Sequence, residues 1–365
     1  MKYLIVQDWN NTHGNHAGMV HMCRLLVDKY PNEYEMFVKP EEADFDKGER
    51  QMMEGRNRLS RLFVKAHMHF FVKNAYYKYI IPMEYFALCK PMFRKLKDGD
   101  EVFLLEYLIS SNSQLQLARY IHDNFPNVRV YALSHLTVSL FKEYKITEED
   151  IQRWALPVNK MLTLGSSLSF YFEEANIKKD KISTGFHYVD SDYYKKEKEI
   201  KLEDPITVIA MGNLQRDYNL LAQVVKQSNR DVHWIICHGN TSVGHSFDGL
   251  PNVELKGYLS EDELKSQMDR AEVSISIMKD TVGSNVITTS LAMGLAMVVS
   301  DVGSIRDYCS EDNAIFCENT VQSFAGAINA LAADPQRVLD MRNSSVEASK
   351  RFSISNVNKW FSQLK

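Results

Sequence analysis

No uncharged apolar run in this chain reaches the roughly 20 residues needed to cross a bilayer as a helix. The opening MKYLIVQDW has only Tyr3, Leu4, Ile5 and Val6 between Lys2 and Gln7, too short a core for a secretion signal. Cysteine is sparse as well: Cys23, Cys89, Cys237, Cys309 and Cys317 are odd in number, scattered and without a CxxC pair. That excludes a disulfide framework and a cysteine zinc site, and it fits a reducing compartment. No short-period repeat, low-complexity tract or Asp/Glu/His set at metal-ligand spacing occurs along the sequence. A strong charge of one sign is also missing. Against 43 Lys and Arg stand 47 Asp and Glu, a net charge of −4, which gives no global pull toward nucleic acid or anionic lipid. A cytoplasmic protein is expected, with no metal, no cofactor and no nucleic-acid partner.

What is present is the composition of a soluble globular chain, 45% hydrophobic and 25% charged over 365 residues, a length that suits two domains. Short apolar runs alternate with helix-like segments, the pattern of a parallel sheet with crossover helices. The first half offers YLIVQDW, EVFLLEY, VRVYALSH and KMLTLGS. A charge run, YYKKEKEIKLEDP, then reads as a solvated linker. The second half offers ITVIAMG, VHWIICHG, VELKGYL, VSISIMKD, AMVVSDVG and AIFCEN, separated by helical stretches such as NLLAQVVKQS and SFAGAINALAA. Both halves read as doubly wound α/β domains, with a shared site expected in the cleft between them.

The most informative stretch is Thr281 to Ser304, TVGSNVITTSLAMGLAMVVSDVGS. It reads as loop, helix, Gly turn, buried strand and second Gly turn. Gly283 and Ser284 bring backbone N–H groups toward an anion, and the helix opened near Asn285 points its positive end at the same place. Two phosphates suit such a site, so a nucleotide is the first expectation.

The ordered series AMGNLQRDYNLL, LPNVELKGYLSEDELKSQM, VSISIMKDTVGSNVITTSLAMGLAMVVSDVGS and RFSISNVNKWF, preceded by STGFHYVDSDYY, resembles the C-terminal part of glycosyltransferase family 4, the group 1 transferases with the GT-B fold. GNHAGMVHMCRLL, YALSH and MLTLGSSLSFYF extend the resemblance into the first half. It implies two Rossmann-like domains, residues 1–198 binding the acceptor and 199–348 the nucleotide-sugar, with 349–365 a helix returning to the first domain. It further implies a hexosyltransferase-type enzyme, retaining and metal-independent. The donor would be linked to UDP or GDP, and the acceptor would be a glycan or lipid-linked saccharide of a cell-surface polysaccharide or glycolipid.

Carried over residue by residue, the resemblance puts His135 at the transferred sugar and Gly18 beside the phosphates. Gly257 and Tyr258 fall at the base, and Gly283, Ser284, Asn285 and Thr289 at the phosphates and ribose. The family's two glutamates fall at Thr281 and Thr289 here, with Asp280 one position early. Its basic pair falls at Asn213 and Tyr218, and Arg216 is the substitute phosphate clamp. Plain readings stand beside these: His135 as strand-end packing, Arg216 as a partner of Asp217, Gly14 and Gly18 as turn glycines, His187 as a hinge residue, and Asp190 as the cap of the turn that follows it. The lost glutamates also leave open a non-catalytic partner protein, and the two-domain cleft a sugar-nucleotide epimerase or hydrolase.

A second feature is Arg56 to Lys97, with ten Lys or Arg, nine Phe or Tyr and one acidic residue, Glu84. Arg58, Arg61 and Lys65 fall at helical spacing beside Leu59, Leu62 and Phe63. Such a helix suits an anionic membrane surface, with the protein peripheral at its cytoplasmic face. Equally, the aromatics can be core and the basic residues its solvated side.

Overall fold

The computed structural model describes residues 1–8, 15–40, 52–54, 57–73, 75–108, 113–196 and 205–364. Gly14 and most of the charge run lie outside the described residues. Strands β1 (Lys2–Gln7), β2 (Tyr34–Lys39), β3 (Glu101–Leu104), β4 (Arg129–Ser134), β5 (Lys160–Thr163) and β6 (Ile182–Thr184) form one sheet in the order β2-β1-β3-β4-β5-β6. A second sheet orders β7 (Thr207–Met211), β8 (His233–Cys237), β9 (Val253–Lys256), β10 (Val273–Ser276), β11 (Ala296–Ser300) and β12 (Ala314–Cys317) as β12-β11-β10-β7-β8-β9. All pairings are parallel. Each sheet is therefore doubly wound, with its order reversing beside β1 or β7, and the open crevice falls where the chain changes direction.

The strand sequences follow from burial on both faces. Thr207–Met211 and Ala296–Ser300 are buried at every position, so they read as unbroken apolar runs rather than alternating ones. β2, YEMFVK, mixes buried and half-buried positions, and β6 has only three residues at a sheet edge, none of them buried; neither carries a long apolar run. Helices begin at side-chain caps: Thr147 with Asp150, and Ser260 with Glu263, close reciprocal capping boxes. All five cysteines are free and buried. Burial pushes the thiols of Cys89 and Cys309 up to about 12 and that of Cys237 to about 11, and it raises Cys23 and Cys317 as well.

The two domains meet along a closed seam. Ser166, at the start of the helix Ser166–Glu174, donates its N–H and hydroxyl to the Asp307 carboxylate at 2.5 and 2.9 Å. Ser167 meets Ser304 Oγ through its N–H, 2.9 Å, and its hydroxyl, 2.6 Å. Gly165 leaves no room for a side chain there, because a Cβ would stand 2.3 Å from Ser304 Oγ. The last helix, Ile354–Ser362, lies on the first domain: Val357, Phe361 and Leu364 share a core with Leu4, Val6, Leu26 and Phe103. Phe361 stacks on Phe103 at 4.4 Å, and Trp360 covers Gly185 while donating to Ser183 Oγ at 2.9 Å.

Candidate functional site

After β7 the chain turns through Gly212, at φ +90°, and Gln215, at φ +57°, before Asp217 caps the helix Tyr218–Gln227. Arg216 sits in this turn, half-buried, with its backbone bridged to Met278 and its Nε donating to the Met211 carbonyl at 3.2 Å. It makes no ion pair among the described residues; Asp217 is occupied by the helix cap instead. Burial lowers its guanidinium to about 10, opposed by Tyr218, so the charge is kept at neutral pH. A Cβ on Gly212 would lie 3.2 Å from Val286 Cγ2 and 3.4 Å from Arg216 Nε. That glycine thus lets the cation lie beside the first turn of the helix Asn285–Ala292. The pair stands at the switch point between β7 and β10.

The loop into this helix differs from expectation at Gly283. Its N–H donates to Thr281 Oγ1 at 3.0 Å, and a Cβ would stand 2.2 Å from the Tyr308 ring. Gly283 is needed for Tyr308 packing and has no N–H left for a phosphate. Ser284 caps the helix by accepting from the Ile287 N–H, while the N–H groups of Ser284, Asn285 and Val286 find no acceptor among the described residues. The anion-binding end therefore runs from Ser284 to Val286. Thr289 is buried and its hydroxyl donates to the Asn285 carbonyl at 2.8 Å. Asp280 is spent across the seam, accepting from Ser139 N–H at 2.8 Å and Thr281 N–H at 2.7 Å. No carboxylate of this loop is left over for a sugar.

Opposite stands His135, just past β4. Its Nε2 lies 3.3 Å from Glu106 Oε2, and burial pushes the ring down to about 4. His187, in the connector between the domains, is pushed down to about 3 by burial and by His135, while the Asn285 side chain, accepting from the ring, works in the other direction. His135, His187 and Asn285 thus gather three parts of the chain at the mouth of the helix.

The remaining candidates lie apart. Gly257 and Tyr258 are exposed after β9, Tyr258 by 72%, with Gly257 facing the Gly239 carbonyl in the turn after β8. Gly18 precedes the helix Met19–Lys29 in an extended conformation, and an added Cβ would meet only Asn15 at ordinary distance. Arg58, Arg61 and Lys65 are exposed on the helix Arg58–His67.

One set that is scattered in sequence is close in space. His16 Nδ1 and His21 Nε2 each lie 2.8 Å from Asp190 Oδ2, and His16 stacks on Tyr193 at 3.7 Å. Asp190 Oδ1 accepts from the N–H groups of Asp192 and Tyr193, closing the turn. Burial alone would raise the Asp190 carboxyl; the bonds from His21, His16 and Tyr193 outweigh it and hold it below the usual range. His16 N–H also reaches Glu261 Oε2 at 2.5 Å, so this knot ties the first domain, the connector and the second domain together.

Residues 205–334 match the family of glycosyl transferases group 1. That match lies within the second domain. No curated protein matches the chain in sequence. Among solved structures the whole chain is similar to HepE of Anabaena in complex with UDP, TM-score 0.69 at 12% identity, covering 100% of this chain and 99% of that one. Sucrose-phosphate synthase of Thermosynechococcus elongatus gives TM-score 0.70 at 11% identity, with the same coverage. A glycosyltransferase of Rickettsia africae gives 0.65 at 12%, also over 100% and 99%. The fold is thus the two-domain GT-B arrangement that the sequence pointed to.

In the second domain the turn Gly212–Asp217 and the loop Asp280–Asn285 both follow C-terminal ends of central strands, which is why the motifs built from them were readable. His187 was legible only as a hinge residue, because its partners lie 52 positions before it and 98 after it, at His135 and Asn285.

Proposed function

We propose that the chain is a glycosyltransferase that moves a sugar from a nucleotide-sugar donor to a glycan or lipid-linked acceptor. The observation that carries this is Arg216, a cation without an ion pair among the described residues, beside the open helix end Ser284–Val286 at the switch point of the domain that matches the group 1 family. Transfer breaks the bond between the anomeric carbon and the diphosphate, so charge develops on the departing phosphate. Arg216 and the helix N–H groups are placed to stabilise it without reorganisation. In this reading retention follows from the acceptor attacking on the face the nucleotide leaves, with the first domain presenting the acceptor near Gly18. The base lies against Gly257 and Tyr258, Thr289 faces the ribose, and no metal is required. The closed seam excludes water from the reacting carbon.

The acceptor side is proposed to lie at an anionic membrane surface, with the protein cytoplasmic and peripheral. Leu59, Leu62 and Phe63 are not core residues: they are 79%, 59% and 73% exposed on one face of their helix, flanked by Arg58, Arg61 and Lys65. Phe71 and Met83 are 68% and 67% exposed farther along. An apolar stripe bordered by cations matches a headgroup region that is apolar below and negative above.

The test is a thermal-shift panel of UDP, GDP and their common sugar conjugates, with UDP first because HepE is solved with it. Stabilisation of the wild type by one nucleotide, abolished in Arg216→Ala, is the expected result. A second reading, a non-catalytic protein that keeps the fold and binds a glycan or partner, is favoured by Thr281 and Thr289, whose hydroxyls are tied to Gly283 and Asn285. A folded wild type that no nucleotide stabilises would select it, and donor breakdown without any acceptor would select a hydrolase or epimerase.

A further inference from the structure

We propose that His187 is a donor-sugar contact, acting with His135 as a pair of neutral imidazoles that meet the hydroxyls of the transferred sugar. The inference rests on the nucleotide-sugar reading above and adds a residue and a recognition chemistry to it. Its first support is position. The His187 backbone N–H is held by the Tyr308 hydroxyl at 2.9 Å, and that hydroxyl also donates to the Leu164 carbonyl, so the connector is pinned to both domains. The ring then lies between His135 of the first domain and Asn285 at the helix end.

The second support is an unmet requirement. Nδ1 of His135 and Nδ1 of His187 are both closed off from solvent and have no hydrogen-bond partner among the described residues. Buried polar atoms are nearly always paired; with Nε2 of His135 facing the Glu106 carboxylate and the His187 ring donating to Asn285, both Nδ1 atoms are acceptors that call for a ligand able to donate. A sugar hydroxyl donates. A neutral imidazole offers one donor and one acceptor, whereas a phosphate only accepts. The labour therefore divides: Arg216 and the N–H groups from Ser284 to Val286 suit the phosphates, and the two histidines suit the sugar.

The third support is that nothing else of the loop is left for the task, because the Asp280 carboxylate is engaged by Ser139 and Thr281. The seam over the rings consists of hydrogen bonds between Ser166 and Asp307 and between Ser167 and Ser304. Parting of the domains draws His135 away from His187, which stays with the second domain through Tyr308 and Thr288, and admits a sugar that closure then covers.

The test compares each nucleotide with its sugar conjugate, by calorimetry, on the wild type, His187→Ala and His187→Gln. The probes are UDP and GDP against their glucose, galactose, N-acetylglucosamine and mannose conjugates. Expected is bare-nucleotide affinity within about two-fold of wild type in His187→Ala, an about ten-fold loss of affinity for the preferred conjugate, and partial recovery in His187→Gln, whose amide again donates and accepts. An unchanged conjugate affinity in His187→Ala overturns the inference and leaves the nucleotide-sugar reading standing. Absence of any nucleotide binding by the wild type overturns both. Should the alanine variant not fold, His187→Gln alone decides: conjugate affinity at or above the wild-type value overturns the proposal, and a loss smaller than the nucleotide's own change does the same.

Discussion

Acid sensitivity is set by single side chains at the cleft. His135 and His187 are held near 4 and 3, against about 6.5 for an unburied imidazole. As pH falls through about 6.5 the unfolded chain takes up protons at these rings, while the folded chain does not until about 4, so stability is full above that window and lost as acid is added. Thermal unfolding followed from pH 7 to 4.5 is expected to show a falling midpoint for the wild type and a shallower fall for His187→Gln. An identical slope would mean that the ring is not buried as neutral imidazole. Gly283 shows at the same scale what a sequence conceals. A glycine before a helix reads as room for a phosphate, but the space is taken by Tyr308, 25 positions later, a contact that no local pattern announces.

Among elements, legibility followed burial. The strands buried on both faces, such as β7 and β11, stood out as apolar runs, whereas β2 is only partly buried and β6 is three residues long at an edge. The helix Arg58–His67 was legible as amphipathic, but its sequence does not say whether its apolar side faces core or solvent. Only Val64 within it is buried, which settles that point and leaves the stripe Leu59, Leu62, Phe63 outward. Reversal of charge at Arg58, Arg61 and Lys65 is expected to weaken binding to vesicles rich in anionic lipid by about 2 kcal/mol per residue, one for each unit of charge changed, without lowering the melting temperature. Leu59→Ser with Phe63→Ser should weaken it as well. Equal sedimentation of wild type and variants with such vesicles would remove the membrane from the account.

For the whole molecule, the closing helix matters most. Phe361 belongs to the second half of the chain yet fills the first domain's core against Phe103, so the first domain is incomplete without the C-terminal segment. Phe361→Ala is expected to cost about 3–5 kcal/mol, and calorimetry should place that loss in the unfolding of the first sheet. A single transition shifted as a unit would instead show that the two domains melt as one. The knot of His16, His21 and Asp190 works toward the same union, and it too was hidden in the sequence, where Asp190 comes 174 positions after His16 and 169 after His21.

The sulfur inventory has a practical side. Five thiols that are buried and held protonated by their surroundings react poorly with maleimides, since only the thiolate attacks. A dye pair can therefore be attached through two new cysteines at exposed sites, Leu156 on the first domain and Leu214 on the second, without first stripping the native ones. The opening and shutting of the cleft then becomes a distance that one labelled molecule reports in real time.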